Sequence, residues 1–343
     1  MKKLLSIVSA ISAGAIGTAA AEVSVSGAGN FYYSSADGDT VEATQEDSMS
    51  VTGGSVAWSM STETTNGISV SAGATISRDT DDIREYSSVA AAATAVTGMS
   101  ALTFGMDGMT ITLGDINNAG SGTGEGGDVS TFASTHAGHF AGGSGAESND
   151  SAMDGIADGT GINVSTSMGD ISVDATFVSK VGSGSNSLLT NAKTVGTSSG
   201  YALNLGFDMG GASVNVAVGG AQAKATATKN DSAMALEASY PVSDSLSVTV
   251  GGSNGTIAGN DEDNMFLSAA YTMDADTTLS LGYGTGDNTT GGALDKSTTT
   301  TVNVSRSLGG GMSVFAEYAS VEVDNEGVTT SGTALSVGTS VSF

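Results

Sequence analysis

Residues able to do chemistry are few, and they are clustered. His136 and His139 stand at the spacing of two metal ligands on a helix. They lie in a stretch, 116–159, that also holds the string Gly122-x-Gly124-x-x-Gly127 and a series of acids. The histidine pair would suit zinc if a helix presented it, but the Ala, Gly and Ser around it show no helix-start pattern, and solvated or pore-lining imidazoles titrating near neutrality fit better. The glycine string matches a dinucleotide fingerprint only as letters, because it opens no helical pattern. Asp261-Glu262-Asp263 and the acids from Asp79 to Asp82 resemble calcium-friendly loops without a complete ligand spacing. No serine occupies a nucleophile elbow, there is no cysteine, and two histidines complete no triad. The expectation is therefore no enzyme and no cofactor, beyond Ca2+ held loosely at loop carboxylates.

Charge narrows the partners. The 343 residues carry 36 Asp+Glu against 10 Lys+Arg. Setting aside Lys2 and Lys3 leaves eight basic residues and a net charge of −28. Nucleic acid needs a basic face and is excluded; a field that attracts cations is the functional reading. Lys2 and Lys3, an apolar run over 4–17 and Ala19-Ala20-Ala21 together read as a cleaved export signal over 1–21, with a mature domain over 22–343. No other segment has the length and apolarity of a spanning helix, so any membrane crossing must use strands. Without disulfides, an exported chain of this size needs another source of order, and a closed sheet supplies one by satisfying every edge.

The elements that would position these groups are strands. With 50 glycines and one proline, the chain divides into about sixteen alternating segments, the first over 23–34 and the last over 335–343. Leu203, Leu205 and Phe207 alternate with Ala202, Asn204 and Gly206, and Val214, Val216 and Val218 with Ser213, Asn215 and Ala217. An apolar outside against lipid and a polar inside against water would produce this pattern. Gly53-Gly54 marks a bend or phase change inside the second segment. Asp107-Gly108 is a hairpin signal, and Pro241 falls in a turn. The next segments end at 253, 271, 284, 305 and 321, so that tight turns and longer polar loops alternate along the whole chain. An even count of strands puts both ends of the sheet on one rim.

The last segment carries Leu335-x-Val337-x-Thr339-x-Val341-x-Phe343. It resembles the closing strand of outer-membrane barrels, whose terminal Phe is read by the barrel-assembly machinery. With the export signal, the strand number and the oversized third external connection, the chain resembles the general diffusion porins of Gram-negative bacteria, of the alphaproteobacterial type. That resemblance implies an all-β, closed antiparallel barrel of about sixteen strands in outer-membrane lipid, a homotrimer, and a water-filled pore for small hydrophilic solutes. It also implies that the connection after the fifth strand folds inward. Its acids, Asp115 at the edge, then Glu125, Asp128, Glu147, Asp150, Asp154 and Asp158, would line the constriction. The inward phase adds Asp174, Glu237 and Glu317. Many porins oppose such acids with wall arginines; here Arg78 and Arg84 fall in an external loop and Arg306 near a strand end. The expectation is a cation-preferring channel. A solute-selective channel of the same fold and a secreted β-rich surface protein are the rivals.

Overall fold

The computed structural model describes residues 22–39, 47–64, 67–78, 94–97, 101–117, 119–130, 132–141, 151–153, 156–157, 159–181, 199–222, 230–257, 260–290 and 293–343. The export signal expected over 1–21 lies outside them, as does Arg84. The strands are β1 (Glu22–Gly38), β2 (Asp47–Glu63), β3 (Ser69–Arg78), β4 (Thr94–Thr97), β5 (Ala101–Met106), β6 (Met109–Ile116), β7 (Gly159–Met168), β8 (Ile171–Val181) and β9 (Gly200–Met209). They continue as β10 (Ala212–Ala221), β11 (Asp231–Ser243), β12 (Leu246–Ile257), β13 (Asn260–Thr272), β14 (Thr277–Thr290), β15 (Ala293–Gly309), β16 (Met312–Asn325) and β17 (Val328–Ser342). Among the described residues one helix, α1 (Ala133–Phe140), lies between β6 and β7.

Apart from β4 and β5, which do not pair with each other, sequence-neighbouring strands pair antiparallel, and β1 pairs with β17 from Ala28↔Ser342 to Gly38↔Gly332. β4 and β5 both pair with β3, as successive lengths of one stave, so the sheet closes as a sixteen-stave barrel. Closure is what a bilayer demands, because an unpaired strand edge in hydrocarbon has no water to bond. At the seam the Phe343 N–H donates to the Gly27 carbonyl at 2.9 Å, and the Gly27 N–H donates back at 2.8 Å. The Phe343 ring fills the space a Gly27 side chain would occupy.

The two faces separate as the alternation predicts. Val25, Phe31, Leu236, Leu267, Leu281 and Leu335 are exposed on the outward phase, where lipid would cover them. Their neighbours Ala235, Ser34 and Ser336 are buried inside. The phase change at Gly53-Gly54 is present as a bulge: Ala28 pairs with Ser55, but Asn30 pairs with Thr52. The extra residue keeps Val51 opposite Phe31 and Trp58 opposite Val25.

Two expectations about connections need correcting. Pro241 is not in a turn; it pairs with Ser247 inside β11, next to a bulge that ends at Ser243, a place in a sheet where proline is tolerated. Loop lengths also do not alternate along the whole chain. Two residues separate β12 from β13, β14 from β15, and β16 from β17. Glu326 and Gly327 have φ of 52° and 86°, the left-handed pair of a tight hairpin. The apolar alternation stops near residues 253, 284 and 321 and begins again near 265 and 299, yet the ladders run on between these points through polar pairs such as Thr256 Oγ1 donating to Asp261 at 2.8 Å and Asn254 donating to Asp263. Backbone pairing needs no apolar side chain outside the lipid. β1, β2 and β15 reach 17 residues. At about 3.3 Å per residue they exceed an apolar band of roughly 25 Å.

On the tight-turn rim, Asp274 is held below the usual carboxylate range, first by the Asp276 N–H and the Thr277 hydroxyl, then by the Arg306 guanidinium at 3.3 Å. A lowered folded value stabilises above the ordinary Asp range and fades as pH falls through it. Asp274→Asn should flatten that acid-side part of the stability-versus-pH curve, read by unfolding in detergent. Leu281→Arg should cost about 2–4 kcal/mol in reversible unfolding from lipid vesicles, because it places a charge on the lipid face.

Candidate functional site

The site is the lumen, and the segment after β6 shapes it. Its described residues lie along the inner wall, and their backbone is satisfied by wall side chains. The Ala119 N–H donates to Thr176 Oγ1 at 2.8 Å, and the Ala152 N–H to Ser253 Oγ at 2.8 Å. Thr301 Oγ1 accepts from the Val129 N–H at 3.0 Å and donates to the Gly127 carbonyl at 3.2 Å. Asn264 donates to the Gly124 carbonyl at 3.1 Å, and Thr330 to that of Ala141. The loop thus follows the wall from β8 past β12, β13 and β15 to β17. Buried irregular backbone needs such partners, and here the inward phase of the barrel supplies them.

Close approach requires small residues on both sides. One apolar contact joins Ala119, Met153, Ile156 and Ala157 to Val178, Ala202, Ala217 and Ala235. Another joins Ala133, Ala137 and Ala141 of α1 and its end to Ala319, Val321 and Ala334. A methyl on Gly332 would strike the Ala137 carbonyl, and one on Gly282 would strike that of Gly127.

α1 corrects the sequence reading around His136, which found no helix start there and took the imidazole as solvated or pore-lining; the side chain of His139 lies outside the described ones. Its start is set by tertiary contacts. Glu317 Oε2 accepts the Phe132 N–H at 2.8 Å and the Ala133 N–H at 3.2 Å, while Oε1 accepts from Asn303 at 3.1 Å. Ser130 Oγ accepts the Ser134 N–H at 3.1 Å, and Asp128 accepts the Ser130 N–H and hydroxyl at 2.8 and 2.7 Å. These satisfy donors that a helix leaves open, and a carboxylate suits that end of its dipole. His136 is 5% exposed; its Nδ1 lies 2.9 Å from the Phe132 carbonyl oxygen, and its ring meets Tyr32 edge-on at 5.9 Å. Phe132 stacks between Tyr32 at 4.0 Å and Phe315 at 5.3 Å.

The expected site acids divide by position. Glu125 and Asp128 are half-buried on the loop. Glu147, Asp150, Asp154 and Asp158 lie outside the described residues. Asp115 is exposed and shares the outward phase of Leu113. Asp174 is on the inward phase and accepts from Asn163 at 2.7 Å. Glu237 is also inward and accepts from the Gly124 N–H. Glu317 is inward but only 2% exposed, beneath the loop it holds. Sequence reasoning missed the loop-holding groups Thr176, Ser253, Asn264, Thr301 and Thr330, and the Tyr32–Phe132–Phe315 stack. One signal was available: Ala217, Gly219 and Ala221 keep the inward phase of β10 small, where an open lumen would allow long polar side chains.

Two substitutions test the loop's attachment. Glu317→Ala leaves two helix-start N–H groups unpaired, a loss of about 1–3 kcal/mol. Single-channel recordings should then show a larger and noisier open current, and Glu317→Gln should restore most of the native trace. Gly332→Val should displace α1 and raise conductance in the same assay.

A profile of the Gram-negative porin family matches residues 7–326. Among solved structures, the trimer form of OmpT, an outer membrane protein of Vibrio cholerae, aligns at a TM-score of 0.64 and 12% identity, covering 94% of this chain and 99% of that one. The outer membrane channel DcaP of Acinetobacter baumannii gives 0.63 and 11%, covering 94% and 97%. A variant of the Rh. blastica porin gives 0.60 and 17%, covering 94% and 100%. At these identities the likeness is one of fold. No curated protein sequence matches. The family match spans nearly the whole chain, and a sixteen-stave barrel encloses the lumen, so the protein belongs to the Gram-negative porin family and is an outer-membrane channel.

Proposed function

We propose that this channel passes small hydrophilic solutes by passive diffusion, prefers cations, works as a homotrimer and performs no catalytic step. The observation that carries the cation preference is where the charges lie. Among the described side chains, Lys296 and Arg306 are the cations, and both are on the outward phase. Lys296 pairs with Asp287 at 3.5 Å, and Arg306 with Asp274 at 3.3 Å. The described charges on the inward phase and on the loop, Asp174, Glu125 and Asp128 among them, are acids. A negative lumen with low-dielectric walls concentrates cations and repels anions, more strongly in dilute salt, since screening acts over about 10 Å at 0.1 M.

The trimeric OmpT form supports the homotrimer, and the apolar period of Leu335, Val337, Val341 and Phe343 supports reading by the barrel-assembly machinery during insertion. A heat-modifiable trimer on a gel tests the first. For selectivity, the reversal potential across a KCl gradient should take the cation sign and grow as both solutions are diluted. Glu125→Gln should move it toward zero. A reversal potential of anion sign overturns the preference while leaving the channel intact.

A further inference from the structure

Among the described residues, the loop leaves one part of the lumen wall uncovered. β1, β2, β3 and β5 present Ser24, Ser26, Ser59, Ser71, Thr75 and Thr103 on their inward phase, around a cavity of ≈ 410 Å³. Ala57, Gly73 and Ala101 occupy the inward positions between them. The largest inward side chain lining this cavity is therefore threonine, and none is charged. Ser24 Oγ lies 2.7 Å from Ser59 Oγ, and Thr103 Oγ1 lies 3.2 Å from Thr112 Oγ1, so hydroxyls run in cross-strand rows. Opposite in chemistry is the loop side, with its half-buried Glu125 and Asp128.

A hydroxyl both donates and accepts. A row of them can replace the water around a solute that also donates and accepts, with little loss of hydrogen bonding, and can release it as easily. An ion gains little there compared with the acidic side. We propose, building on the channel reading above, that this wall is the contact face for uncharged polyhydroxylated solutes, small sugars in particular. It raises their entry over uncharged solutes of equal size that lack hydroxyl donors. Ions and sugars then favour different sides of one lumen.

The test uses the full chain in liposomes. KCl conductance is measured first; if there is none, the channel reading fails, whatever the wall does. Osmotic swelling then compares a hexose with an oligoethylene glycol of matched radius, each at low concentration. In the triple variant S59A/S71A/T103V the hexose-to-glycol flux ratio should fall about threefold, the effect of losing one or two weak hydrogen bonds, with KCl conductance retained. These replacements do not narrow the bore, so a channel that sorts by size alone would keep the ratio unchanged, and that result overturns the proposal. Ala57→Ser adds a hydroxyl between Ser26 and Thr75 in the same row and should raise the ratio. If the triple variant loses its KCl conductance, this second variant decides, and an unchanged ratio in it overturns the proposal.

Discussion

Backbone hydrogen bonding in a solvent that offers none is the constraint on which the rest of this protein depends. In the sheet it forces closure, from Ala28↔Ser342 to Gly38↔Gly332, because any open edge would lie in hydrocarbon. The loop after β6 meets the same constraint away from the lipid. Its backbone has left the ladder, and Thr176, Ser253, Asn264, Thr301, Glu317 and Thr330 stand in for the missing strand. The barrel interior is thus a template for a particular loop path as well as a hole.

That path explains why the inner wall is chemically uneven. Where the loop lies, the wall is alanine and glycine, and the contacts bury small apolar surfaces with a few polar anchors between them. Where it does not, over β2, β3, β5 and the Ser24–Ser26 part of β1, the wall carries serine and threonine. Two wall acids that a sequence reader would assign to ion attraction, Glu237 and Glu317, accept loop N–H groups instead. A carboxylate under a loop orders the loop; a carboxylate beside the bore acts on ions. Side-chain type alone does not separate these duties.

The described cations show the complementary pattern. Lys296 and Arg306 are placed outward, beside an acid on the neighbouring strand and one in the neighbouring turn, so the positive charge they bring lies on the outer surface near the rims. Acids stand on both faces, but no described cation stands on the inner one. The sign of the interior field follows from strand phase, since moving either residue by one position would turn it inward.

Much of the fold was legible because a strand writes its two environments with period two. The phase of Leu203-x-Leu205-x-Phe207, the bulge at Gly53-Gly54 and the Asp107-Gly108 hairpin are local facts that no distant residue alters. The polar extensions of β13 to β17 were not legible, because their ladders are held by backbone and polar pairs and leave no apolar period. The start of α1 was hidden for a different reason: the group that accepts its first N–H donors is Glu317, some 184 residues away in the chain. The sequence alone therefore determined that this chain is a closed sheet, greasy outside and wet inside, since alternation is intrinsic to each strand. Only the tertiary structure decided which wall the loop covers, which acids it uses as anchors and which hydroxyls line the cavity beside it, because those depend on contacts between residues that closure brings together.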